Sequence, residues 1–388
     1  MNSRMLDGQA FPNGPVQVRN DRAGRLLERV PREPLTVGIV APPWIPIPPP
    51  AYGGTEAVLD NLICGLVDLG VRVVVVAHGD SRIAGAEVLG GPCAPSGSAI
   101  GVTTTEMEHV VFAYDALLRR GVDVIHDHTL VGPLVGAARH APIPIVTTNH
   151  GLFDVHLRPI FRELGRVSSV VAISHSQART AGDVPIAAVI HHGVRPERFP
   201  VGRGDGGYAL FLGRMSPAKG VVQAIQAARA AGVRLVIAAK CWEHEEVRFF
   251  EREVAPLLGD DVEFVGELGG ARKMALLGGA VALLNPIQWD EPFGMTMIEA
   301  LACGTPVIVT PRGAAPELVD DGITGFLCAG ERELVEALQG VGRLNRRACR
   351  TAVTERFSAA RNARRHVDLY ERVVGRRHGA GRVAAVAP

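Results

Sequence analysis

Three short stretches of this chain carry side chains and backbone suited to holding an anion and a diol. The first is APPWIPIPPPAYGGTE, in which Gly53 and Gly54 open onto a helix beginning near Thr55. Two glycines let backbone N–H groups approach a ligand closely, and a helix N-terminus adds unpaired donors and partial positive charge. The second is GRMSPAKG, which places Arg214 and Lys219 around a glycine-flanked turn. Two cations at a helix start oppose the helix dipole, so the arrangement calls for an anion, and a diphosphate suits it. The third is DEPFGMTMIEA, in which Glu291 lies in a loop and Glu299 follows eight residues later, inside a helix starting near Gly294. A carboxylate among Met297, Ile298, Ala300 and Leu301 is expected to be largely buried, and needs partners to offset its desolvation. A diol such as a ribose supplies two hydroxyl donors to one carboxylate.

These stretches sit where short apolar runs give way to amphipathic helices. Residues 36–41 (TVGIVA), 71–77, 122–126, 145–148 and 170–173 read as buried strands. Val58, Leu59, Leu62, Ile63, Leu66 and Val67 recur at helical spacing over 55–69, and Gly70 stops that helix. A second series starts at 208–213 (YALFLG), with a helix at 220–231, a strand at 233–239 and a helix at 243–258. Further strands follow at 262–265, 280–284 and 306–310. Alternating β-α-β order implies parallel sheets with right-handed crossovers. The Gly-, Pro- and Arg-rich segment 191–207 is the linker. The fold expected is α/β: two Rossmann-like doubly wound domains facing across a cleft. Their bounds are 34–200 and 201–357, preceded by a disordered extension over 1–33. They are followed by a C-terminal helix and flexible tail over 358–388, with a crossing back to the first domain left open. Ligands of such sheets bind at the carboxyl ends of the strands, where all three stretches fall.

Composition narrows the partners. The 388 residues carry 41 basic and 40 acidic side chains, a net charge of +1, which excludes an electrostatically driven nucleic-acid binder. Only three of the basic residues are lysines: Lys219, Lys240 and Lys273. Cys64, Cys93, Cys241, Cys303, Cys328 and Cys349 form no C-x-x-C pair, so neither a zinc site nor a disulfide framework is expected, and reduced thiols fit a cytoplasmic protein. The first residues hold no apolar run, so no secretory signal is expected. Residues 35–55 are free of charge, but six prolines break the stretch, which makes a membrane-spanning helix untenable. The Arg-rich helix at 359–374 reads as a solvated face, with peripheral contact to anionic lipid the sharper alternative. His126 and His128 flank Asp127 at a strand end; they are expected to project to opposite faces, so chelation of one metal by both is not expected.

Taken together, PPPAYGGTE, VIHDHT, TTNHG, ISHSQ, HHGV, GRMSPAKG, EPFGMTMIEALACGTPVIV and APELVDDGITGFL resemble the retaining family 4 glycosyltransferases of the GT-B fold, in family order from residue 36 to about 330. The resemblance implies transfer of a sugar from a nucleotide diphosphate sugar to a hydroxyl acceptor with the anomeric configuration kept. It implies that Arg214 and Lys219 clamp the donor diphosphate, Glu299 holds the ribose and Glu291 binds a hydroxyl of the transferred sugar. Gly53 and Gly54 would approach the phosphates, and His150 of TTNHG would lie near the donor sugar. The backbone of Phe293, Gly294 and Met295 would face the diphosphate or sugar, and His126 and His128 would lie on the acceptor side. Glu291, His150, Arg214 and Lys219 form the implied catalytic set of a metal-independent hexosyltransferase with no cofactor beyond its donor substrate. The acceptor could be a glycan, a lipid-linked sugar or a secondary metabolite. Two other readings stay open: a sugar-nucleotide epimerase, and a non-catalytic nucleotide-sugar-binding protein on the same fold. Three departures stand out. Lys240 replaces a usual glycine, Gly313-Ala314-Ala315-Pro316-Glu317 replaces a Gly-Gly-Pro-Glu form, and HHGV replaces Asn-Gly-Val, with no role assigned to His191 or His192. Glu245 and Glu246 of HEE are expected on a solvated helix, and Lys273 has no role.

Overall fold

The computed structural model describes residues 34–91, 101–139 and 142–384, with side chains to Arg376. The expected extension over 1–33 and the last four residues of the tail lie outside the described residues, as does Cys93. Two sheets form. The first joins β1 (Thr36–Val40), β2 (Arg72–Ala77), β3 (Glu87–Gly90), β4 (Val124–Asp127), β5 (Ile145–Thr148), β6 (Ser169–Ala172) and β7 (Ile186–Val189) in the order β3-β2-β1-β4-β5-β6-β7. The second joins β8 (Tyr208–Arg214), β9 (Arg234–Lys240), β10 (Val262–Gly266), β11 (Ala282–Asn285), β12 (Val307–Val309) and β13 (Gly325–Leu327) in the order β10-β9-β8-β11-β12-β13. Every paired strand runs parallel. Helices cover both faces, which is why the central strands read as unbroken apolar runs; β2 is RVVVVA with five of its six residues buried.

In each sheet the strand order reverses beside the first strand, between β1 and β4 and between β8 and β11. That switch point leaves a crevice at the carboxyl edge. The Pro-rich loop after β1, the His-Asp-His run at the end of β4, Arg214 at the end of β8 and the Glu291 loop after β11 all lie there. This is the GT-B architecture.

Three features differ from expectation. The edge strands β3, β7 and β13 are short, and β3 and β7 are half-exposed, so neither alternation nor a long apolar run marks them. The helix expected over 243–258 is an α-helix only over His244–Phe249, followed by a π-turn (Phe250–Val254) and a 3-10 turn (Ala255–Leu257). Pro256 has no N–H to give and its ring displaces the preceding turn, so the α-helical ladder cannot continue. The last helix is longer than expected, Ala359–Ala384. It packs back on the helix Gly54–Asp68, and Gly65 makes the approach possible: a Cβ there would lie 2.8 Å from Ala359 O and 2.9 Å from Ala363 Cβ. Arg361, Arg364, Arg365 and Arg372 on its other face are exposed. Among the described residues no helix is long and apolar enough to cross a membrane.

Candidate functional site

On the first sheet, the loop after β1 is anchored at the buried Ile47, whose N–H donates to Ser81 Oγ (3.0 Å). It delivers Gly53 and Gly54 to the start of the helix Gly54–Asp68. The two glycines serve differently. A Cβ on Gly53 would meet Pro49 Cβ at 2.7 Å and Glu56 Oε2 at 3.1 Å, whereas a Cβ on Gly54 would meet nothing within 4 Å. Gly53 lets the loop close; Gly54 exposes backbone to open space at a helix N-terminus. Glu56 behind them is buried, and burial pushes its carboxyl up to about 7, against the pull of its own backbone N–H.

On the second sheet, the turn Pro217–Lys219 is tied to the loop after β11. Gly220 has φ 76°, and a Cβ there would lie 2.0 Å from Pro286 O. The Gln288 N–H donates to Ala218 O (2.8 Å). These contacts bring Lys219 Nζ to 2.5 Å from Glu291 Oε2, which also accepts from Trp289 Nε1 (2.9 Å). The Glu291 backbone is held in turn by the loop beginning at Gly313. A Cβ on Gly313 would lie 2.3 Å from Glu291 N and O, and the Ala314 N–H donates to Glu291 O (2.9 Å). The altered Gly-Ala-Ala-Pro-Glu loop therefore still backs Glu291. Gly294 caps the helix Met295–Ala302 with φ 104°, and one turn in, Glu299 accepts from Lys273 Nζ (2.8 Å).

A cavity opens between the two carboxyl edges. Tyr52, Gly53 and Gly54 wall it from the first half, and Lys240, Lys273 and Glu299 from the second. Met295 also lines it, and Arg214 follows directly on the wall residue Gly213. No side chain among the described residues is paired with the Arg214 guanidinium. Burial raises the Tyr52 phenol, and the Arg214 charge opposes that rise. The Tyr52 N–H reaches across to Glu267 Oε1 (2.7 Å), closing one side. Lys219, Glu291 and Gly294 stand on the adjoining loops rather than in the wall. The Phe293 side chain is buried against His192, ring centroids 4.9 Å apart, so only its backbone can face a ligand.

Lys273 and Trp289 are the residues that sequence reasoning missed. A signal for the first was present. In a chain that otherwise uses arginine, all three lysines end on glutamates at this cleft: Lys219 on Glu291, Lys273 on Glu299, and the buried Lys240 on Glu243 and Glu246. Lysine offers a compact charge with three rotatable donors, which suits a tight carboxylate contact. Glu246 is 5% exposed, so the solvated reading of HEE does not hold for it. Its carboxylate closes the capping box at the helix start and faces Lys240, which lies over the Trp242 ring at 3.9 Å.

The histidines also depart from expectation. His126 and His128 do not point to opposite faces: their rings lie 4.0 Å apart. Side chains alternate with a period of two, so residues i and i+2 share a face, and Asp127 between them turns the other way, its Oδ1 accepting from the Thr129 N–H and Oγ (both 2.7 Å). Nor does His126 line the acceptor side. It is 0% exposed, with Nδ1 2.7 Å from Tyr370 Oη on the last helix and Nε2 2.8 Å from Thr148 Oγ1. His128 is buried with Nδ1 2.9 Å from His150 Nε2, and His150 stacks on His192 at 5.4 Å. His191, given no role from sequence, joins the halves: its Nε2 lies 2.8 Å from Glu317 Oε2. The His175 and Ser176 N–H groups donate to the same carboxylate (2.9 and 2.6 Å). His175, His191 and Glu317 bring ligand atoms within 4.8 Å of one another, close enough for a cation, but N–H donors already occupy both carboxylate oxygens. The cluster is a junction between the halves, seconded by Ser174 Oγ donating to Pro292 O (2.7 Å).

Known proteins share this frame. The family described as Glycosyltransferase Family 4 matches residues 52–198, and that described as Glycosyl transferases group 1 matches 195–349. Alpha-maltose-1-phosphate synthase of Mycobacterium tuberculosis is 27% identical, over 84% of this chain and 97% of its own. The crystal structure of AviGT4, a glycosyltransferase involved in avilamycin A biosynthesis, superposes with a TM-score of 0.67 at 28% identity, covering 88% of this chain and 98% of its own. Anabaena HepE, solved in complex with UDP-glucose, superposes with a TM-score of 0.66 at 19% identity, covering 86% and 99%. That last likeness concerns the fold.

Proposed function

This chain belongs to the family 4 glycosyltransferases, and we propose that its cleft moves a sugar from a nucleotide diphosphate sugar to a hydroxyl acceptor with retention of the anomeric configuration. One observation carries the site assignment: the cavity at the two switch points joins an open glycine backbone at a helix N-terminus, Gly54, to a carboxylate–ammonium pair, Glu299 and Lys273. The first suits a phosphate and the second the ribose hydroxyls of the same ligand.

In this reading the nucleoside diphosphate lies between Gly53–Gly54 and Glu299. Arg214 and Lys219 draw the diphosphate, with Lys219 exchanging Glu291 for a phosphate oxygen as Glu291 takes a hydroxyl of the sugar. His150 lies beside the sugar, and the backbone of Phe293, Gly294 and Met295 faces it. As the anomeric C–O bond breaks, charge grows on the departing diphosphate, and Arg214, Lys219 and the helix N-termini stabilise it. The acceptor oxygen forms the new bond on the same face while its proton passes to the leaving phosphate oxygen. Two cations supply the charge stabilisation, so metal independence is part of the proposal. A reducing, cytoplasmic setting and an acceptor that is a glycan, a lipid-linked sugar or a secondary metabolite complete it.

The test is a thermal-shift panel of UDP-, GDP- and ADP-linked sugars, followed by mass spectrometry of products formed with extracted acceptors. One nucleotide class is expected to raise the melting temperature and to yield a product heavier by one sugar. Stabilisation without transfer or hydrolysis across a broad acceptor set would favour a binding protein. A changed sugar nucleotide without any acceptor would favour an epimerase.

A further inference from the structure

Five imidazoles form a continuous row behind the carboxyl edge of the first sheet, His366 coming from the last helix. Ring centroids run His366–His126 5.1 Å, His126–His128 4.0 Å, His128–His150 5.2 Å and His150–His192 5.4 Å. Burial lowers the proton affinity of all five, with neighbouring imidazoles adding to it for His126, His128, His150 and His192, so the rings are neutral at pH 7. A neutral imidazole has one N–H and one bare nitrogen, and its partners decide which is which.

The contact between His128 Nδ1 and His150 Nε2 (2.9 Å) therefore carries a single proton, with two arrangements to weigh. If the proton belongs to His150 Nε2, then His128 bears its own proton on Nε2. That atom is buried without a partner, and the N–H would be orphaned. If the proton belongs to His128 Nδ1, then Nε2 is left as a bare lone pair. Buried N–H groups without acceptors are rarer and costlier than under-used acceptors. The second arrangement leaves His150 Nε2 accepting, which puts His150's own proton on Nδ1. His150 is only partly covered, and its Nδ1 is not among the buried unpaired atoms, so that N–H keeps contact with solvent.

We propose that His128 is a positioning residue for His150: its Nδ1–H donates to His150 Nε2 and fixes His150 as the Nδ1–H tautomer, with its hydrogen-bond donor on the side turned away from His128. His128 is set in place from behind by His126, itself pinned between Tyr370 Oη and Thr148 Oγ1. The last helix thus reaches the site through two rings. The consequence deepens the reading proposed above and rests on His150 lying beside the donor sugar. The ligand group opposite Nδ1 must be an oxygen acceptor, such as a sugar hydroxyl or ring oxygen. With its bare nitrogen turned inward on His128, His150 takes no proton from the acceptor, which leaves the departing phosphate oxygen to do so.

The experiment is nitrogen NMR of the full chain with 15N-labelled histidine, His150 being assigned among 13 histidines by difference from His150→Gln. Nδ1 of His150 is expected to carry the proton at pH 7.5; a protonated Nε2 overturns the proposal whatever the transfer rate. His128→Asn keeps a donor at that position, so the tautomer holds and kcat stays within about threefold. His128→Asp replaces the donor by an acceptor, so the proton moves to Nε2 and kcat falls about ten- to hundredfold, with KM for the donor changing less. A moved proton with unchanged kcat also overturns it. Should His128→Asp fail to fold, the wild-type and His128→Asn spectra still decide. The rates use whichever of UDP-, GDP- or ADP-glucose stabilises the wild type most. If none does, the nucleotide-sugar reading fails while the nitrogen spectra still decide the tautomer.

Discussion

Lys219 Nζ lies 2.5 Å from Glu291 Oε2, although 72 residues separate them, and both side chains are largely covered. Trp289 completes the group: its indole N–H donates to the same oxygen, and its ring lies 5.3 Å from the Lys219 ammonium. Glu291 thus holds the cation in place and balances its charge. A diphosphate entering the site competes with Glu291 for Lys219. Lys219→Met should lower kcat by about 100-fold or more, as loss of a group that stabilises developing charge does. Glu291→Gln keeps a hydrogen-bonding group but frees Lys219, so it should lower kcat while tightening binding of the free nucleoside diphosphate. Titration calorimetry on both variants checks this; weaker nucleotide binding in Glu291→Gln would contradict the exchange.

The Lys273 ammonium answers to a different part of the ligand. It holds Glu299, whose side chain is 9% exposed and lines the cavity. Lys273→Met should weaken nucleoside diphosphate binding about tenfold, roughly the worth of one charge-assisted hydrogen bond, and change kcat less. Lys273→Arg should recover only part of the loss, because a planar fork does not fit a point-charge contact. Equal affinity in wild type and Lys273→Met, measured by calorimetry, would remove this residue from the site.

The two adjacent glycines separate folding from binding. Gly53→Ala should destabilise the chain by about 1–3 kcal/mol, since its methyl would overlap Pro49. Gly54→Ala meets only open space and should leave stability within about 0.5 kcal/mol, yet its methyl would stand where a phosphate approaches the helix N-terminus. Thermal melts with and without nucleotide distinguish the two. Gly54→Ala with undiminished nucleotide stabilisation would show that no phosphate sits there.

How much of this was legible beforehand follows from the kind of interaction. The central strands and the helix at Gly54–Asp68 announce themselves by periodicity, because each buries a continuous face. The three loops announce themselves by residue types that bind anions and diols wherever a switch point places them. What periodicity does not carry is pairing between distant side chains. Lys273 meets Glu299, Trp289 meets Glu291 and His126 meets Tyr370 only because the second crevice and the returning helix bring them together. The edge strands β3 and β7 escaped notice because half-exposed strands of four residues leave no distinctive pattern.

The buried histidines set a direction for acid stability. Burial lowers His109, His150 and His366 from 6.5 to about 4, and His126, His128 and His192 well below 6.5. Folded-state values below the unfolded ones mean that the unfolded chain binds more protons in this window. Stability is therefore full above pH 6.5 and lost as pH falls toward 4, by up to about 1.4 kcal/mol per pH unit for each histidine. Glu56 and Asp127, both raised to about 7 by burial, act in the opposite sense between about 4 and 7, but two groups do not cancel six. Calorimetric melting temperature should fall steadily from pH 6.5 to pH 5. A flat profile would mean that these rings are not buried neutral.

The central claim is sugar transfer with retention in a cleft that uses its own cations. Proton NMR of the first product formed, taken before any anomeric equilibration, tests it most directly. From an α-linked nucleotide sugar the account predicts an α-linked product, formed at an undiminished rate after treatment with a chelator. A β-linked first product, or transfer abolished by the chelator and restored by a divalent cation, would contradict it.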